Sequence, residues 1–507
     1  MGAFVDQFRP TSFTPRYPRW MVGWPLLISS SALPSLGDAM FGYSQGLIAA
    51  LQVQPNFIRR FFGKDVTLEQ IQNGTTGVDP YVQSIVVSCL NITAFISAFF
   101  AAYVCDILGR RVSVRLGALI YLVASIIQIV SPDLACLVVG RSLQGVAVGI
   151  LSMTAPILQC EIAPGHARGL FISIEYICLN AGYALSAWVG YAFFFTLPSE
   201  ISWKGPYIVQ AAMAAILLAW SFVLPETPRF LVNSGMPTEG LRVLADLHAA
   251  GNIDDPAVLA THREIVDTVA REHALGSASW RELFTQYGRR GVIGLTCQIF
   301  AQFNGINAIL YFLPENLSRA GFDTQHALLY AAGASLLFCT GTIPTVLWID
   351  RVGADLWGPG PWLLGAEIFP LRARAKGMAL STTANWICNF IIAFVTPPLF
   401  ASIGGGYYFI LVGFCVICVI FVYFVYPETA HKTLEELGSV FNDGPKIPDE
   451  EKPVLALEAD TLAVPATVGE ERGSISSNAD SDRTLRPSIG GSFDAKSTTS
   501  REVKAEP

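Results

Sequence analysis

Five side chains are out of keeping with their surroundings. Arg141 stands inside the apolar run LACLVVGRSLQGVAVGILSM and Asp38 inside SALPSLGDAMFGYSQGLIAAL, while Gln302, Asn307 and Asn385 interrupt two further runs of the same kind. An unpaired guanidinium in such a run is costly and normally marks function. The candidate counter-charge on the first run is Asp38. A carboxyl among apolar groups with an arginine nearby is a group able to switch between protonation states. A buried amide offers donors and an acceptor, and these bond either a neighbouring helix or a ligand. Hydrogen bonding and proton exchange are therefore the chemistries on offer. No phosphate-cradling loop, metal-ligand spacing, nucleophile elbow or cofactor motif occurs, and none of the six histidines falls in an apolar run. Cys415 and Cys418 have redox spacing, but within LVGFCVICVIFVYF they read as packing or lipid-facing residues.

Such residues need helices in a membrane to hold them. Of the 507 residues, 52% are hydrophobic and 14% charged, where a soluble domain carries about a quarter charged residues. The apolar blocks have the length of membrane-crossing helices, so the expected fold is an all-α polytopic membrane protein. Ten spans are predicted, near 27–51, 80–104, 114–131, 136–157, 171–195 and 207–224, then near 291–313, 328–349, 378–400 and 406–426. They divide the chain into an N-terminal six-helix half (1–225), a polar central loop with short helices (226–290), a C-terminal half (291–440) and a Ser-, Thr- and Glu-rich tail (441–507) expected to be disordered. The formal charge of −7 says little, because much of the acid lies in the loops and tail, and no nucleic-acid partner is expected. All ten cysteines lie in or beside apolar segments, so no disulfide framework is indicated.

Basic residues set the orientation. Arg110, Arg111 and Arg115 follow the second span and Arg168 the fourth, which places these loops, the central loop and both termini in the cytosol. Arg59, Arg60 and Lys64 run against this rule. Asn73-Gly74-Thr75, in the same outer loop, is a candidate glycan acceptor. Asn91-Ile92-Thr93 has the same pattern but sits in a span, where it is irrelevant to glycosylation.

Three motifs occur twice. DILGRR from Asp106 is echoed by DRVG from Asp350, EIAPGHARG from Glu161 by EIFPLRARA from Glu367, and PETPR containing Glu226 by PETAH containing Glu428. The interval between the first two motifs is 55 residues in the first copy and 17 in the second, a shortfall of 38. Seventeen helical residues reach about 25 Å against a hydrocarbon core of about 30 Å. They cannot cross and return, and one strained crossing would carry Arg372, Arg374 and Lys376 to the outside. A short re-entrant or interfacial stub is expected there, giving ten full spans and a stub. Such a truncated second half should leave polar faces of the seventh, eighth and eleventh helices against lipid.

FGYSQG, DILGRR, GRSLQGVAVG, EIAPGHARG, PETPR, AQFNGINAILYF, WGPGPWLLGAEIFPLRARAKG, NWICNF and PETAHKTLEEL together resemble the sugar-porter branch of the major facilitator superfamily, with a fungal hexose-carrier flavour, from about residue 27 to 440. The resemblance implies twelve helices in two pseudo-symmetric halves that rock about a central site. What this chain lacks is the ninth helix and the start of the tenth. It also implies a cytosolic gate of Asp106, Arg110, Arg111, Glu161, Arg168, Glu367 and Arg374, which their fixed order across both halves favours over the alternative of topology-setting loop charges. The arginines expected after Gly353 are replaced by Ala354 and Asp355. A sugar site is implied at Gln302, Asn307 and Tyr311, with Gly358, Trp362, Asn385 and Trp386 on the last helices and Tyr176 on the fifth. On an ideal helix Gln302 and Tyr311 face opposite ways, and Gly305 would permit a break between them. Ala301 and Tyr176 stand where relatives place glutamines, so the pocket has less hydrogen-bonding reach and more aromatic area. Proton-driven relatives carry an aspartate at the position of Ser44, which leaves Asp38 with Arg141 as the candidates for proton coupling, Asp38 being equally readable as an extracellular-end cap or a partner to a polar neighbour.

The expected activity is monosaccharide passage by alternating access, proton-coupled or facilitative, in the plasma membrane and impaired by the gap. The expected partners are a sugar, protons and the bilayer. A sugar sensor signalling through the tail is the alternative.

Overall fold

Acidic caps, prolines and glycines divide the chain into helices before any packing is considered. Asp79, Asp133 and Asp323 each accept a hydrogen bond from an amide of the turn that follows, satisfying donors that a helix start leaves open. The structure, a computed structural model, describes residues 17–73, 76–164, 168–276, 279–344, 368–369, 371–426 and 441. Among them all regular structure is helical. The long helices are α1 (Trp24–Leu51), α2 (Pro80–Leu108), α3 (Arg110–Val130), α4 (Leu134–Ile162), α5 (Arg168–Phe194), α6 (Ile201–Ser221), α7 (Gly288–Phe303), α8 (Ile306–Arg319), α9 (Thr324–Gly341), α10 (Leu371–Ile403) and α11 (Tyr407–Val425). Each of the ten expected spans finds its helix, the seventh as the broken pair α7 and α8. The expected stub lies outside the described residues, as does nearly all of the tail.

Seven stretches among the described residues are long and apolar enough to cross a membrane, one of them running through α7 and α8 and one through α10 and α11. Helices α1 and α9 are not among them, and α1 carries Asp38, Gln45 and five serines. Its polar residues are shielded by protein instead, for Ser30, Ser35, Asp38, Ser44 and Gln45 are all buried. The third helix begins at Arg110, earlier than expected, because Gly109 turns the chain at φ +88°.

Small residues bring the helices into backbone contact. A Cβ on Gly182 of α5 would lie 1.9 Å from the Ala39 carbonyl of α1, and one on Gly42 of α1 would lie 1.9 Å from the Leu179 carbonyl of α5. Gly145 and Gly149 of α4 meet the Leu90 and Ala94 carbonyls of α2 in the same way. Helix α10 lies along α2 and α7, with Met378, Ala379 and Trp386 in the core built from the first six helices. Shorter helices, Pro237–His248 and Pro256–Leu275 among them, fill the central segment around Leu241, Leu244, Ala245 and Val258. Tyr17 donates to Asp246 at 2.6 Å, tying this layer to the start of α1.

The expected exposure of polar faces is not what the described residues show. Their outward side chains on α7, α9, α10 and α11 include Val292, Leu336, Leu337, Ile391, Phe409 and Phe424, while Gln298, Gln302, Asn307 and Asn385 are at most 7% exposed. Packing of α10 against α2 and α7 turns the amides inward.

Candidate functional site

The chain break between α7 and α8 builds the centre of the site. Gly305 takes φ +88°, a region that glycine tolerates and other residues rarely adopt. The Asn304 side chain accepts the Ile306 amide at 3.0 Å and starts α8. Across the break Asn307 Nδ2 donates to Gln302 Oε1, joining two of the expected pocket residues. Asn385 Nδ2, on α10, donates to Gln298 Oε1 at 2.7 Å. Trp386 is fully buried with its ring 4.9 Å from that of Phe41 on α1, and its indole N–H meets no acceptor among the described residues.

Tyr311 turns away from this group. Its hydroxyl donates to Asn389 Oδ1 at 3.2 Å, and the same oxygen accepts Asn91 Nδ2 of α2 at 3.2 Å. Tyr176 is half-buried beside Asn180 on α5. Gly358 and Trp362 lie outside the described residues. The seam therefore runs from α7 and α8 through α10 to α2. Sequence reasoning missed three of its amides. Gln298 and Asn389 each lie one helical turn from a recognised amide, at a spacing of four that was there to be read. Asn91 was set aside as a misplaced glycan motif, although a polar residue in a span is itself the signal.

The expected neighbours Asp38 and Arg141 do not pair. Arg141, 2% exposed, donates through Nε to the Val86 carbonyl at 2.7 Å and through Nη2 to the Val87 carbonyl at 3.5 Å. Ser44 donates to its own helix at Phe41, and Tyr121, whose hydroxyl donates to the Met40 carbonyl at 2.8 Å, neighbours both Ser44 and Arg141. Asp38 faces Glu175 of α5 instead. Six residues turn a helix through about 600°, so Asp38 and Ser44 look out on different neighbours. Glu175 was also missed, and its signal was a lone carboxyl in the run FISIEYICLN.

At one end of the bundle the expected gate residues come together in part. Arg110 Nη2 meets Glu161 Oε1 at 2.9 Å and its Nη1 meets Asp106 Oδ1 at 3.6 Å. Glu161 Oε2 accepts the Thr227 hydroxyl at 2.6 Å. Arg111 joins through its backbone, since Glu226 accepts the Arg110 amide at 2.9 Å and the Arg111 amide at 3.3 Å. A carboxylate at the start of α3 is favoured by the helix dipole. Burial pushes the Glu226 carboxyl above its ordinary range, and Arg110 and Arg111 pull it back. This cluster ties α2, α3 and α4 to the segment after α6. Arg168 and Arg374 sit in the first turns of α5 and α10, with side chains outside the described residues, as is Glu367 entirely. At the opposite end Gln83 Nε2 of α2 donates to Glu315 Oε2 of α8 at 2.6 Å. Asn73 is exposed at the end of the short helix Leu68–Gln72, with Thr75 outside the described residues.

The sequence signature of the family described as "Sugar (and other) transporter" matches residues 31–354 and 356–441. A low-affinity glucose transporter of Saccharomyces cerevisiae is 28% identical over 468 aligned residues, covering 81% of this chain and 80% of that one. Hexose transporter 2 of Kluyveromyces lactis is 28% identical over 470, covering 81% of each. Among solved structures, the proton:xylose symporter XylE bound to 6-bromo-6-deoxy-D-glucose superposes with a TM-score of 0.69 at 22% identity, covering 82% of this chain and 99% of that one. The inward-open form of the xylose transporter XylE from E. coli superposes with a TM-score of 0.63 at 21% identity, covering 82% and 99%.

Proposed function

Because the chain belongs to the sugar transporter family of the major facilitator superfamily, we propose that it carries a hexose-like monosaccharide across the plasma membrane by alternating access. The observation that carries this reading is the buried amide seam. Gln302 pairs with Asn307 and Asn385 with the missed Gln298, and Trp386, next to Asn385 in the chain, has an N–H that meets no acceptor among the described residues. Paired donors and acceptors beside an aromatic face are what sugar hydroxyls and ring carbons require. Tyr311 bonds Asn389 further along the same seam, and Tyr176, Gly358 and Trp362 are proposed to complete the site.

The moving parts are the N-terminal half, residues 1–225, and the shortened half, 291–440. The Arg110–Glu161 cluster, with Arg111, Asp106, Arg168, Glu367 and Arg374, is read as the cytosolic gate. The Gln83–Glu315 bond closes the outer end between α2 and α8. Two findings support a real internal gap. The family match parts at residue 355, and an alignment of 468 residues uses only 81% of a 507-residue chain, so the yeast relative has material opposite which this chain has none.

Counterflow of labelled glucose into sugar-loaded vesicles holding the purified protein tests the reading. Saturable exchange that Asn385→Ala weakens is expected. Tight hexose binding with no flux would shift the assignment to a sensor acting through the tail, and neither binding nor flux with any hexose would overturn it.

A further inference from the structure

We propose that Asp38 and Glu175 hold one proton between them at the crossing of α1 and α5, and that this shared proton is how transport responds to a proton gradient. The first half stands by itself; the second rests on the transport reading above.

Both acids are out of water, Asp38 at 7% and Glu175 at 3% exposure. They sit on the two helices that press together backbone to backbone. Asp38 directly precedes Ala39, whose carbonyl touches Gly182, and Glu175 lies one turn before Leu179, whose carbonyl touches Gly42. The carboxyls meet at the edge of that contact, within hydrogen-bonding reach of each other. Ionised carboxylates only accept, so a bond between two of them requires one proton. No N–H or hydroxyl of the described residues serves Glu175 Oε1. The titratable groups facing the pair are Cys160 from α4 and Cys178 from α5, with Cys339 of α9 and the Ser35 hydroxyl of α1 next to Cys178. None of these is a cation, and Arg141 is engaged with the Val86 and Val87 carbonyls.

Two like charges in contact, away from water and with no cation facing them among the described residues, do not both form. While the crossing is shut the pair is one carboxylic acid donating to one carboxylate. When α1 and α5 part and water reaches the acids, the proton leaves to that water and two carboxylates remain. Their repulsion opposes closure until a proton returns. The arrangement moves proton binding away from Ser44 and onto a second helix.

Infrared spectroscopy of the full-length protein in lipid nanodiscs tests the pair directly. At neutral pH the wild type should show a protonated-carboxyl band larger by one carboxyl equivalent than that of Asp38→Asn/Glu175→Gln. Both substitutions keep side-chain shape, and Asp38→Ser/Glu175→Gln, which likewise removes both acids, provides the same comparison should the first double variant melt early. Equal bands would overturn the shared proton. In vesicles, the ratio of sugar uptake with an inward proton gradient to uptake without one should be several-fold for the wild type and about one for Glu175→Gln, whatever the absolute rates. A wild-type ratio of one, or an unchanged ratio in Glu175→Gln, would overturn the coupling. Absence of all sugar exchange by the wild type would sink the transport reading and leave the infrared result standing.

Discussion

Asn385 bonds Gln298 in a place where neither amide reaches water. Cutting Asn385 to alanine strips Gln298 Oε1 of that donor, a loss on the order of 1–3 kcal/mol for a buried group. Asn385→Ala should lower the melting temperature, and added glucose should no longer raise it. Asn385→Gln, which carries both a donor and an acceptor, should recover much of both effects. Melting curves with and without glucose check this, and a wild-type glucose response in Asn385→Ala would remove the residue from the site. At this scale the sequence announced residue types well and partners poorly. Arg141, Asp38, Gln302 and Asn307 all stood out, because a polar group in an apolar run is conspicuous in any context. That Asp38 looks to Glu175, and Arg141 to two backbone carbonyls, depends on how α1 rolls against α4 and α5. No spacing along one helix encodes that roll.

Helices give two further expectations. Gly182→Val would drive a branched side chain into the Ala39 carbonyl, so α1 and α5 must separate. Little folded protein should be recovered, whereas Gly333→Ala on α9, whose added methyl meets nothing within 4 Å, should be recovered at wild-type levels. Detergent-extracted yield after gel filtration compares them, and normal yield of Gly182→Val would deny that this crossing is tight. In the central layer His262 Nε2 faces the Pro237 carbonyl at 3.0 Å. Burial holds the imidazole below its ordinary value of 6.5, although that carbonyl pulls the other way. The folded layer therefore binds the proton less readily than the unfolded one. Its stability is fully present above pH 6.5 and falls as the pH drops toward the folded value. Hydrogen exchange in residues 237–275 should accelerate across that window, and His262→Gln should flatten the dependence. Exchange protection that holds steady as the pH falls would refute it. The existence of these helices was legible from hydropathy and caps; their starts were not. Helix α3 begins at Arg110 because Gly109 turns the chain there and a remote carboxylate, Glu226, accepts from its first amides.

For the whole molecule the question is the gap. Inserting about 38 residues between Gly353 and Trp357, with a Gly-Arg-Arg start, one apolar span and the front of the next, should raise sugar flux well above that of the 507-residue chain. Robust uptake by the chain as it stands, from a transcript without such an insert, would mean that a ten-span carrier works. Orientation has its own check: Asn73→Gln should abolish a glycan-dependent mobility shift, and labelling of that loop from the cytosolic side would reverse the topology. The family's architecture was legible because its motifs recur in order across two halves. The shortfall was legible because the same order supplied a ruler. The inward turn of the amides on α7 and α10 was not, since burial of a helix face depends on which neighbour arrives.

That inward turn bears on what the carrier will accept. Asn307 already donates to Gln302 and Asn385 to Gln298, so an arriving sugar trades existing bonds for new ones rather than adding to them. The heat of binding should be small, with selection governed by ring shape and by displaced solvent. An analogue lacking one hydroxyl strands no amide, because the side chain swings back to its old partner. Sites whose polar groups have nowhere else to go reject deoxy sugars by large factors; this one, with fallback partners built in, should tolerate them, and a broad menu of hexoses and their deoxy forms is the consequence.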